Sequence, residues 1–176
     1  VPHDRERLDA VEFYPYRTLI RAGLRGVETA HLVFPAIDPG NEDPATFSRK
    51  CIYDLLRGEM GFEGLIVSDS LTMKAIKDHY PIEESVVKTF NAGHDIILQD
   101  YNEPPMPTFE VLLAAVKDGR VPMSELDASV MRVLEGKEWV GLPERGPLSV
   151  EAAKAAFQPP EHVALAPRPL PTMTDT

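Results

Sequence analysis

The chain has a single cysteine, Cys51, and so no internal disulfide; no Cys/His spacing suited to zinc accompanies it. A disulfide scaffold and a structural zinc module are therefore excluded, and no metal or other cofactor is expected. No apolar run approaches the roughly 18 residues that a membrane-spanning helix needs. Basic residues are scarce: 18 Lys and Arg stand against 28 Asp and Glu, for a net charge of −10. With a pI near 4.9, a nucleic-acid partner is not expected, because phosphate recognition needs clustered Lys and Arg. Also missing are a phosphate-binding P-loop, a GxGxxG turn, a GxSxG elbow and an HExxH pair. The polar opening VPHDRERLDA has no signal-peptide character. Its Val1 start reads as a processed chain, one whose start is missing, or a trimmed one.

What is present suits a globular domain. Hydrophobic residues make up 43% of 176 and charged residues 26%. That length can bury a core but falls short of the about 250 residues of a complete eight-stranded βα barrel. Two textures alternate: helical stretches with apolar residues three and four apart, and short apolar runs rich in β-branched residues.

The first helix is expected over 4–22, with Leu8, Val11, Tyr14, Leu19 and Ile20 on one side, a kink at Pro15 and a stop at Gly23. A strand then runs through Val27 toward Phe34. Ser48 is expected to cap a helix carrying Ile52, Leu55, Leu56 and Met60 and ending before Gly61. Gly64–Val67 reads as a strand buried on both faces. A helix through Val86, Val87 and Phe90 stops at Gly93, and 95–98 is a third buried strand. Two further helices carry Val111–Val116 and Leu126–Trp139. This order implies an α/β fold of parallel βα units. Residues 1–142 are expected as one domain. Residues 143–176 hold seven prolines and are expected as a proline-rich tail with a short helix at 149–157.

In such folds, chemistry gathers where strands end. His31, Asp69 and Gln99–Asp100 occupy those ends. From position alone, Asp69 or Ser70 reads first as a cap for the next helix, and His31 as a strand-end residue bonded to a loop. His94 falls at the opposite end of its strand, where stability rather than function is expected.

The run Gly61–Phe62–Glu63–Gly64–Leu65–Ile66–Val67–Ser68–Asp69–Ser70–Leu71–Thr72–Met73 resembles the nucleophile segment of glycoside hydrolase family 3, in its bacterial β-N-acetylhexosaminidase branch. Three other stretches agree in order. Thr29–Ala30–His31 with Phe34–Pro35–Ala36 is similar to the family's sixth strand. Asn91–Ala92–Gly93–His94–Asp95–Ile96–Ile97–Leu98 is similar to its eighth. Leu126–Asp127–Ala128–Ser129–Val130, with Arg132 and Leu134, is similar to its closing helix. The resemblance implies the last three-eighths of a (β/α)8 barrel, a carbohydrate substrate and a retaining mechanism through a covalent glycosyl-enzyme intermediate. It makes Asp69 the nucleophile and places His31 and Met73 against the sugar. Leu71 and Met73 favour the hexosaminidase branch; the family's β-glucosidases usually carry Trp where Ser70 stands.

The family's acid/base loop, of the form KHFPGHGDT…DSH, has no counterpart in the 176 residues. The expectation is a C-terminal part of a longer enzyme, doubtful in activity alone and able to self-associate through exposed sheet edges. Its location is left open between bacterial cytoplasm and secretion. The alternatives are a truncated barrel acting as a binding or interaction module, a β-glucosidase of the same family, or an unrelated small α/β protein in which Asp69 only caps a helix.

Overall fold

The computed structural model describes residues 1–99, 104–144, 146, 147 and 149–157. Asp100, and the tail prolines from Pro159 onward, lie outside the described residues. The chain divides into two compact units, Val1–Val140 and Gly141–Thr176.

The first unit opens on one unbroken helical stretch: α1 (Arg5–Arg7), a π-helical segment (Leu8–Glu12) and α2 (Phe13–Arg21). Asp4 caps it by accepting the Arg7 N–H at 2.8 Å. At Pro15, where a kink was expected, the helix continues without a break and adjusts in the turn before the proline. Proline has no N–H for the carbonyl four residues back, and the turn ahead of it widens until the Phe13 N–H reaches the Leu8 carbonyl. The wider turn also rotates the apolar face. Leu8 and Phe13 are buried, whereas Val11, Tyr14 and Leu19 are 46%, 63% and 51% exposed.

Strand β1 (Gly26–Glu28) pairs in parallel with β2 (Leu65–Val67), with Val27 opposite Ile66. It is shorter than the apolar run toward Phe34 suggested, because the chain turns away after the Thr29 N–H bonds the Val67 carbonyl at 2.9 Å. The third segment, 95–98, joins β2 by one parallel bridge, Val67 to Ile96. Its ladder is interrupted by a side chain: the Leu98 N–H donates to Ser68 Oγ at 3.0 Å. The sheet is covered less evenly than its sequence implied. Ile66 is fully buried, Leu65 and Val67 are half-buried, and Ile96 and Leu98 are 37% and 38% exposed.

Helices cover the better-buried face. The π-helical segment Lys50–Glu59 sends Ile52 and Leu56 onto Val27 and Ile66, beside Phe62 and Ala92. Ser48 caps it, its Oγ accepting the Cys51 N–H at 3.2 Å. A short α3 (Lys74–Lys77) and α4 (Ile82–Ala92) follow, then α5 (Met106–Lys117) and α6 (Met123–Trp139). Ile76, Val86 and Leu71 form a second cluster against Ile97 and Leu112, and Phe90, Ala115 and Val121 a third. Gly93 ends α4 at φ +118°, a left-handed conformation that glycine tolerates best. Among the described residues no helix is long and apolar enough to cross a membrane.

Beneath the strands lies one buried ionic knot. The Asp95 side chain is 0% exposed and accepts from Arg57 Nη2 at 2.6 Å, Arg132 Nε at 2.7 Å and the Ile66 N–H at 2.9 Å. One carboxylate thus ties the segment Lys50–Glu59, β2 and α6 together. Burial pulls the Arg57 pKa down, while the neighbouring Asp95 charge acts against that fall. In the second unit, α7 (Val150–Phe157) is the helix expected at 149–157, with Ser149 Oγ accepting the Ala152 N–H at 3.0 Å.

Candidate active site

Asp69 follows β2 directly, at the C-terminal end of the strand. Its neighbours on both sides are pinned. Ser68 is 0% exposed; its N–H bonds the Ile96 carbonyl at 3.0 Å while its hydroxyl takes the Leu98 N–H. On the other side, the Ser70 carbonyl accepts His31 Nε2 at 2.9 Å and the Met73 N–H at 3.1 Å. Leu71 adds a bond to the Leu98 carbonyl at 3.3 Å. The carboxylate itself is half-buried, and Oδ1 accepts the Ser70 N–H at 2.7 Å.

This geometry decides against the plainer reading of Asp69. The next helix, α3, begins at Lys74; its cap residue is Met73 and no side chain caps it. Ser70 does not cap it either, since its hydroxyl bonds Thr72 Oγ1 at 2.8 Å and the Thr72 N–H at 3.3 Å. Met73 is 46% exposed, with its N–H held on the Ser70 carbonyl.

His31 is tied at both ring nitrogens. Nε2 faces the Ser70 carbonyl, and Nδ1 lies 2.7 Å from Thr46 Oγ1. A carbonyl only accepts, so Nε2 carries the proton and donates to Ser70. The Thr46 hydroxyl, bonded to Nδ1, also faces the Ala30 carbonyl at 3.4 Å. Thr46 is 0% exposed, in the 3-10 turn Ala45–Phe47. The loop bearing it is anchored in turn. Asp38 takes Lys50 at 2.8 Å, Ser48 at 2.6 Å and Asn41 at 2.7 Å, which lowers its pKa to about 2, Lys50 acting most strongly. Asp43 accepts from Tyr80 and from Lys88, each at 2.9 Å.

His94 belongs to the scaffold. It is 1% exposed, donates through Nδ1 to the Thr89 carbonyl at 2.9 Å and accepts the Thr29 hydroxyl at Nε2, also at 2.9 Å. Burial pushes its pKa down to about 4, so it stays uncharged near neutrality. Gln99 donates to Thr108 Oγ1 and is thereby turned toward α5.

The supports of Asp69 were only partly visible in the sequence. Ser68 adjoins Asp69 and shares its strand end. Thr46 lies 15 residues beyond His31 with no motif linking the two.

A family model described as glycosyl hydrolase family 3 N terminal domain matches residues 1–135. A β-N-acetylglucosaminidase/β-glucosidase of Cellulomonas fimi is 33% identical over 159 residues, which are 86% of this chain and 28% of that protein. β-Hexosaminidase A of Pseudoalteromonas piscicida is 30% identical, over 92% of this chain and 29% of that one. The structure superposes on a family 3 β-N-acetylglucosaminidase from Paenibacillus sp. str. FPU-7 with a TM-score of 0.79 and 40% identity, covering 85% of this chain and 28% of that one. It shares its fold with the β-glucoside phosphorylase BglX, at a TM-score of 0.81 and 24% identity. The chain therefore spans under a third of the length of these curated relatives.

Proposed function

Since the chain belongs to glycosyl hydrolase family 3, we propose that it carries the nucleophile of a retaining β-N-acetylglucosaminidase, and that the nucleophile is Asp69. The observation that supports this is the pinned placement of Asp69 between Ser68 and Ser70 at the end of β2. A nucleophile must be held in line with the anomeric carbon, and rigid flanks confer that at small entropic cost when sugar binds.

In the proposed reaction an Asp69 carboxylate oxygen attacks the anomeric carbon, forming an ester as the glycosidic C–O bond breaks. The departing oxygen takes a proton from a general acid, the role that the family resemblance gives to the KHFPGHGDT…DSH loop. Water then adds to the anomeric carbon, loses a proton to that same group and releases Asp69 as carboxylate. The half-exposed Met73, four residues beyond Asp69, is proposed as an apolar contact to the sugar.

The parallel order of β1, β2 and 95–98 supports a wider reading of 1–142 as the closing part of a (β/α)8 barrel, with 143–176 a separate tail. The double activity in the Cellulomonas fimi protein's name favours one second reading, a β-glucoside as substrate.

The test is turnover and labelling in the whole protein that carries this chain. Asp69→Asn should abolish cleavage of an aryl β-N-acetylglucosaminide. A fluorosugar that accumulates the glycosyl-enzyme should label the Asp69 peptide. Undiminished turnover by Asp69→Asn would remove the assignment; faster cleavage of the aryl β-glucoside would select the second substrate.

A further inference from the structure

We propose that His31 is a positioning residue for the nucleophile loop rather than a ligand of the sugar; this rests on the reading of Asp69 above. The sequence places His31 at the mouth of the sheet, where either role is open. Its hydrogen bonds separate the two. Nε2 donates to the Ser70 carbonyl, one residue beyond Asp69, and Nδ1 is bonded to Thr46 Oγ1. A sugar hydroxyl would have to break one of these bonds to reach a ring nitrogen.

The bond to Ser70 bears directly on Asp69. The Ser70 N–H is held by Asp69 Oδ1 at 2.7 Å, so the position of residue 70 sets both the backbone and one carboxylate oxygen of residue 69. His31 fixes the far side of that residue through its carbonyl, and the Met73 N–H shares the same oxygen. The brace ends on firm ground. Thr46 is fully buried, the Ala45 N–H bonds the Leu32 carbonyl at 2.7 Å, and Asp43 links the loop to Lys88 of α4.

Such a brace leaves a signature distinct from that of a ligand. Loss of a sugar contact weakens binding, whereas a misplaced nucleophile slows bond formation while binding persists. Three variants in the whole protein read the difference: His31→Leu, His31→Gln and Thr46→Val. His31→Leu should lower kcat, and the maximal labelling rate with the fluorosugar, about 10- to 100-fold, with KM and the inactivator's binding constant within about twofold. His31→Gln keeps an N–H at similar reach from the backbone and should recover most of that loss. Thr46→Val should fall between them and is the variant to use if His31→Leu does not fold.

A raised KM with unchanged kcat in His31→Leu would overturn the proposal in favour of a sugar ligand. So would wild-type kinetics in both His31→Leu and Thr46→Val, or a His31→Gln variant that folds and is as slow as His31→Leu. An active, unlabelled Asp69→Asn would instead refute the nucleophile reading, whatever the His31 variants do.

Discussion

Replacement of Asp95 by Ala tests the ionic knot beneath the site most directly. Its carboxylate is fully buried and receives two guanidiniums and a backbone N–H. Removing it leaves Arg57, 11% exposed, without its counter-charge, and the Ile66 N–H without its partner. Breaking one side of a buried ion pair costs about 3–5 kcal/mol, because the remaining charge is stranded in a poor solvent. That is a large part of the roughly 5–15 kcal/mol that holds a domain folded. With a urea dependence of about 2 kcal/mol per molar, the unfolding midpoint should fall by roughly 2 M. Arg57→Met should cost less, since Asp95 keeps Arg132 and the Ile66 N–H, although the Phe62 and Gly64 carbonyls lose a donor. Arg132→Met should cost least, because the pair it breaks is the more exposed one, Asp95 keeps Arg57 and the Ile66 N–H, and no backbone carbonyl loses a donor. Urea unfolding followed by circular dichroism reads all three. A loss below about 1 kcal/mol for Asp95→Ala, or an Arg132→Met variant as damaged as Asp95→Ala, would refute the reasoning.

His94 should make stability fall with acid in a defined window. Its folded pKa, about 4, lies below the ordinary value of 6.5, so the unfolded chain binds the proton more readily. The stability it contributes is complete above pH 6.5 and is lost as pH falls toward 4, by roughly 3 kcal/mol in all. Urea midpoints from pH 7 to 4.5 should slope less in His94→Gln; parallel slopes would refute this. The Asp38 contribution is lost at lower pH, from 3.8 toward about 2, and stays outside that window. Gly64→Ala should destabilise by about 1–3 kcal/mol, because a Cβ there would sit 2.5 Å from the Arg25 carbonyl oxygen, which is backbone and cannot yield. Gly136→Ala meets only the movable Leu65 Cδ1 at 3.1 Å and gains up to about 1 kcal/mol of helix propensity, so its melting temperature should stay near wild type. With the outer edge of β1 unpaired among the described residues, this chain alone is expected to self-associate; a concentration-independent monomer in sedimentation velocity would refute that.

Local chemistry was legible wherever one residue type dominates the backbone's choices. Gly93 ends α4, Gly61 follows the Lys50–Glu59 helix at φ +67°, and Ser48 caps that helix, each where the sequence put it. The alternation of apolar textures was enough for the α/β class, and the Gly61–Met73 motif for the family. Less was legible where the outcome depends on register. The widened turn before Pro15 exchanged Val11 and Tyr14 for Phe13 in the core, and a single extra residue per turn leaves no trace in apolar spacing. The third strand shrank to one bridge because the Ser68 hydroxyl took the N–H that a ladder would have used.

The sequence by itself determined the order of helices and strands, the acidic charge, the family and the place of Asp69 at a strand end. These follow from nearest-neighbour preferences and from a motif contiguous along the chain. Only the tertiary structure decided that Asp69 caps no helix, that His31 is bonded at both nitrogens, and that Asp95 is the buried anchor of three elements. The last two rest on partners 15 to 39 residues apart, and hydrogen bonds across such separations are set by how the elements pack.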